Sequence, residues 1–298
     1  MIHVFFVPGM FGSTVEYVIR NHTQEYSAVE ANIMPDGSMH SYGKQAHLLS
    51  KASIGDFFKN SSAHNEHTIT TPIYPFKEIG LPDVLIEYKN YTRPEDKYVL
   101  LYASELRSAE LNLLFMYHKI INRKAKPNGL GIICGDNQHN IINWNPEYKH
   151  WSEMKTWELR EWISLFYTGW AQEWIDSQFQ VGDEFLKIKN TDLLHSTNEV
   201  FDQILNFAQL TKIKNFSEFV LEWQQAQKYI VEEFNLLDQI VDCTIANQPL
   251  AWQPINIIAE AIVQQRLRAK GYEIRCDGLD KFPTDAIMFN TLLEKVPQ

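Results

Sequence analysis

A chain of 298 residues, 45% hydrophobic and 21% charged, is long enough to bury a real core as one large α/β domain or two small ones. Its net charge of −10 argues against nucleic acid or an anionic membrane surface as partner, since both require a basic patch that neutralises phosphates. Cys134, Cys243 and Cys276 are odd in number and form no CxxC pair, which gives no disulfide or zinc framework. With no basic leader and no apolar run of membrane length, the protein is expected in the cytoplasm.

The chain opens on Ile2-His3-Val4-Phe5-Phe6-Val7, an apolar run of strand length. The turn Pro8-Gly9-Met10-Phe11-Gly12-Ser13-Thr14 follows, and Val15 to Arg20 resumes at helical spacing. Buried strand, glycine turn and helix N-terminus form an anion site in α/β proteins, because unpaired N–H groups and the helix dipole converge on one spot. The turn is no Walker A loop: its glycines stand three positions apart and it contains no lysine. Residues 34–67 are polar and histidine-rich, and predict a loop-rich excursion.

A strand is predicted over about Thr68–Tyr74, a second over Asp83–Tyr88, and a continuous apolar one over Lys97–Ala103 of the kind buried on both faces of a parallel sheet. Helix Leu111–Asn122 follows the last of these. Residues 125–155 form a second variable excursion, and Trp162, Phe166, Trp170 and Trp174 repeat every four residues on a core-facing helix. Glu184–Asn190 alternates as a strand, and Ser196-Thr197-Asn198-Glu199 is a capping box opening a helix through Phe207. From about residue 215 the chain reads as a mainly helical extension, with helices over about 216–235 and from Pro254 to Gly271. Alternating strands and helices predict one domain over 1–298, a mostly parallel, three-layer α/β sheet.

Four segments in this order resemble the sulfotransferase branch of the P-loop fold. They are the opening strand with its glycine turn, Tyr98-Val99-Leu100-Leu101-Tyr102-Ala103-Ser104-Glu105-Leu106-Arg107-Ser108-Ala109-Glu110-Leu111-Asn112, the aromatic helix Trp162–Trp174, and Phe185–Leu194. The resemblance covers about two-thirds of the chain and implies a P-loop, sulfotransferase-type sheet. It also implies transfer of a sulfuryl group from 3′-phosphoadenosine 5′-phosphosulfate to a hydroxyl or amine of a small-molecule or glycan acceptor, with no metal required. By the same resemblance Gly9, Met10, Phe11, Gly12, Ser13 and Thr14 would face the 5′-phosphosulfate, and Ser104, Arg107 and Asn112 the 3′-phosphate. The loop cation usual in that family is replaced by Met10 and Phe11, its strand-end arginine by Ser104, and its later serine by Asn112.

Sulfuryl transfer also needs a base for the acceptor hydroxyl. Glu16, one turn past the loop, and His67, leading the second strand, are the candidates, with His40, Lys44 and His47 a further set if that stretch is helical. His64 and His67 lack a third ligand for a metal. Two other functions fit parts of the pattern. One is a P-loop protein that binds a nucleotide or anion without transferring anything. The other is an α/β-hydrolase esterase, which would require a Gly-x-Ser-x-Gly elbow that the chain does not contain.

Overall fold

The computed structural model describes residues 1–6, 11–26, 32–33, 39–40, 55, 58–59, 68–72, 81–122, 182–213, 215–248, 257–274 and 293–295. Gly9, Met10, His47, His64, His67, the 125–155 excursion and the Trp162–Trp174 helix lie outside these residues. The chain groups into two compact units, Met1–Tyr148 with Trp170–Gln227, and Lys149–Gly169 with Lys228–Gln298.

The strands are β1 (Ile2–Phe6), a short antiparallel pair β2 (Asn32–Ile33) and β3 (Met39–His40), β4 (Thr68–Pro72), β5 (Lys97–Tyr102) and β6 (Phe185–Lys189). In the first unit β4-β1-β5-β6 form one sheet in that order, and every pairing is parallel. β1 is thus an interior strand, with Val4 opposite Thr70 on one side and Val99 on the other. All five of its residues are buried, as expected of a strand covered on both faces. The α/β class is therefore observed directly. His40 sits in β3 opposite Asn32, so the His40–Lys44–His47 set does not begin on a helix.

The helices of this unit are α1 (Gly12–Asn21), α2 (Leu81–Lys89), α3 (Leu106–Asn122), α4 (Asn190–His195), α5 (Thr197–Ala208) and the start of α6 (Phe216–Ile245). α2 replaces the strand expected over Asp83–Tyr88. Leu81, Val84, Leu85 and Tyr88 recur at i, i+3, i+4 and i+7, the helical period, with Pro82 in the first turn where a missing N–H costs nothing. The helix buries Leu85 and Tyr88 and leaves Ile86 64% exposed. Alternation of Val84 and Ile86 imitated a strand, and the longer helical period won.

Helices lie against both faces of β1. The pleat sends Phe5 and Phe6 to opposite sides. Phe5 meets the Tyr88 ring of α2 edge-on at 4.9 Å, while Phe6 packs on Gly12 of α1. Ser196 caps α5 as its position predicted, but its side chain makes no capping hydrogen bond, so the capping box is a box in spacing only.

In the second unit α6 continues to Ile245, beyond the expected end near residue 235, and α7 (Ile257–Ala269) follows. Arg266 of α7 bonds Asp238 at 2.7 Å and lies 4.9 Å from the centre of the Phe234 ring. Gly271 ends the helix at φ 81, and the β7 (Tyr272–Ile274) and β8 (Leu293–Lys295) pair completes the unit. Among the described residues no helix is long and apolar enough to cross a membrane.

Candidate functional site

Parallel strands bring the ends of β1, β5 and β6 to one carboxyl edge, where helices α1, α3 and α4 begin. In open α/β sheets this is the edge where ligands bind. The first turns of α1 and α3 carry no acidic residue, whereas Glu105 stands directly ahead of α3 and Asp192 lies in the first turn of α4, so the positive dipole end is free of a local carboxylate at α1 alone of the three.

The β1–α1 corner is shaped by packing. Phe11 caps α1 in the left-handed region at φ 63, which costs a non-glycine residue about 1–2 kcal/mol. Its carbonyl accepts the N–H groups of Thr14 and Val15 at 2.9 and 3.1 Å, and its ring is wedged 4.6 Å from Phe115 and 5.4 Å from Trp223. Phe11 is thus a buried anchor. At Gly12 an added Cβ would lie 2.1 Å from the Phe6 ring, so the glycine is required for α1 to approach β1 whether or not a ligand binds there. Gly12→Ala is expected to lower stability by roughly 1–3 kcal/mol in urea unfolding through overpacking, and an unchanged midpoint would contradict this corner. Ser13 is half-buried and Thr14 buried.

The β5–α3 corner carries Ser104, Arg107 and Asn112. Ser104 is half-buried, Arg107 exposed and Asn112 buried. Ser108 and Asn112, one helical turn apart, share a stripe of α3. Asn190, where α4 starts, donates from Nδ2 to the Ser108 carbonyl at 2.9 Å. Among the described residues Ser108 Oγ, Asn112 Oδ1 and Asn190 Oδ1 are buried with no hydrogen-bond partner. Buried polar atoms are nearly always bonded, so each of these three leaves a hydrogen bond open to a water or a polar ligand. Ser108 and Asn190 carried no flag in the sequence, because a serine in a first helical turn and an asparagine after a strand look like ordinary caps.

Glu16 is fully buried on α1, with Arg20 Nε 3.2 Å from its Oε1 one turn on.

At the opposite, amino edge the structure assembles a network that the sequence did not signal. His3 is fully buried in β1, and its ring nitrogens meet Tyr88 Oη at 2.9 Å and Asp96 Oδ2 at 3.1 Å. Burial pushes the imidazole below its ordinary pKa against the opposing pull of Asp96, so it is neutral, donating from Nε2 to Asp96 and accepting from Tyr88 at Nδ1. Asp96 also accepts the Arg93 backbone N–H at 3.0 Å and the Met1 amino group at 2.9 Å. Burial opposes its charge, but these bonds outweigh burial and hold its carboxyl well below the usual carboxylate range. The Tyr98 ring stacks on His3 at 5.3 Å. This is a satisfied core histidine. Its partners lie 85 and 93 residues away in sequence, too far for any local pattern to reveal.

No family model matches the chain, and neither the curated proteins nor the solved structures contain one significantly similar to it.

Proposed function

We propose that the chain is a sulfuryl transferase that uses 3′-phosphoadenosine 5′-phosphosulfate at the carboxyl edge of its parallel sheet, in a three-layer fold of P-loop, sulfotransferase type. The observation that carries this reading is the pair of strand-to-helix corners there: interior β1 leads into α1 and β5 into α3, with no acid in either first turn and polar groups left unmet beside them. In this reading residues 9–14 face the phosphosulfate, while Ser104, Arg107 and Asn112 face the 3′-phosphate. The acceptor, a small molecule or glycan, would attack sulfur through its hydroxyl or amine, the bond from sulfur to the bridging oxygen would break, and adenosine 3′,5′-bisphosphate would leave. Glu16 or His67 would take the acceptor's proton. For Glu16 that task would require moving away from Arg20.

A second reading, a P-loop protein that binds a nucleotide or anion without transfer, is favoured by one specific observation. Phe11 and Gly12 are both accounted for by packing against Phe115, Trp223 and Phe6, which leaves the loop without a charged group aimed at a sulfate. Ligand binding and turnover separate the two.

Adenosine 3′,5′-bisphosphate at a hundredfold excess over its dissociation constant should stabilise the protein by about 2.7 kcal/mol, and ATP with magnesium by much less. Arg107→Ala should weaken bisphosphate binding by roughly 1.5–3 kcal/mol, as for a hydrogen bond to a charged group, while the unfolding midpoint stays in place. Equal shifts from both nucleotides would indicate an unspecific phosphate site. No shift from either would end the transferase reading, and bisphosphate binding without sulfuryl transfer to any acceptor would favour the second one.

A further inference from the structure

We propose that the cleft at the amino edge of the sheet is a second ligand site, for a small oxyanion carried on an aromatic ring. The cleft encloses about 590 Å³, within the rough 300–1,000 Å³ range of small-molecule sites. The end of α2 lines it with Lys89, the following turn with Arg93, the start of β5 with Lys97, the approach to β6 with Asp183 and Glu184, and α5 with Phe207.

The charges divide unevenly. Lys89 and Glu184 are paired with each other across the cleft. Asp96, in the floor, is 2% exposed and saturated by His3, the Arg93 backbone N–H and the Met1 amino group, so it makes no demand on the neighbouring cationic side chains. That leaves Arg93 and Lys97, which have no carboxylate partner among the described residues. Asp183, the remaining carboxylate of the lining, is exposed and pairs with neither. The Lys97 ammonium hangs 5.5 Å over the centre of the half-buried Phe207 ring, so a cation and an aromatic face are already joined at one wall.

Arg93 and Lys97 outnumber the one unpaired carboxylate of the lining, Asp183, which favours an anion in a chain of net charge −10, and the ring beside them favours a flat apolar body on that anion. The site stands at the far edge of the sheet from α1 and α3 and is independent of the transferase reading.

Calorimetric titration with phenyl phosphate tests it, using inorganic phosphate and phenol as the two halves of the probe. Phenyl phosphate should bind at least about tenfold tighter than either half. The Arg93→Gln/Lys97→Met double variant should lose about tenfold or more in affinity. Both side chains reach the surface, so its melting temperature should be unchanged, and Phe207→Leu should weaken the aromatic probe while sparing inorganic phosphate. The proposal is overturned if phenyl phosphate fails to bind at millimolar concentration, binds no better than inorganic phosphate, or binds the double variant as it binds the wild type. The two sites fail separately, since bisphosphate binding is read on Arg107 and phenyl phosphate binding on Arg93 and Lys97.

Discussion

Asp96→Ala lowers the stability of the fold by roughly 3–5 kcal/mol, the range for removing one member of a buried charged network. The carboxylate is 2% exposed and takes bonds from His3 Nε2 and the Arg93 backbone N–H, and alanine leaves the buried imidazole N–H and the part-buried amide unmet. Asp96→Asn retains the volume and one acceptor and should lose less. The pH profile carries a further signature. Neutral His3 keeps its proton off when folded, so wild-type stability begins to fall as pH drops below the ordinary imidazole value of 6.5, where the unfolded chain takes up a proton that the native one refuses. A second loss follows below the ordinary aspartate value of 3.8, because Asp96 titrates lower in the fold than in the unfolded chain. The alanine variant lacks that second loss, so its deficit should shrink at the acid end. Chemical denaturation of both proteins across pH 3–7 reads this, and a constant deficit or one under about 1 kcal/mol would refute the network's role.

Phe11→Ala is expected to cost about 3–5 kcal/mol, as for other buried aromatic truncations, because it empties the space between Phe115 and Trp223. The glycine variant sharpens the test. Phe11 and alanine both pay for φ 63, whereas glycine does not, so Phe11→Gly should be less damaging than Phe11→Ala by about 1 kcal/mol despite removing one more carbon. The reverse order in thermal unfolding would mean that the corner is not held in the left-handed region.

What could be read in advance follows from how far each interaction reaches along the chain. β1, β4, β5 and β6 are continuous apolar or alternating runs, so strand length and period were sufficient to find them. α2 was misread because Val84 and Ile86 fit one period while Leu81, Val84, Leu85 and Tyr88 fit another, and only burial decides between them. At the carboxyl edge the corners at residues 11–14 and 104–112 were legible as strand-to-helix turns. That Gly12 is explained by Phe6 was not, since a glycine signals close approach without saying what approaches. Ser108 and Asn190 become a pair only when β5 and β6 lie side by side, as they do through Leu100 and Lys187.

The place of β1 in the sheet has a consequence for biosynthesis. Ile2-His3-Val4-Phe5-Phe6 needs two neighbours, whose first paired residues are Thr68 and Lys97. A ribosome adding about 5–20 residues per second therefore exposes this segment for several seconds with both hydrogen-bonding edges bare. A five-residue, uncharged and aromatic-rich stretch in that state is a template for pairing with other nascent chains. The yield of correctly folded protein should thus respond to translation speed and holdase chaperones more than the equilibrium stability of the finished molecule would suggest.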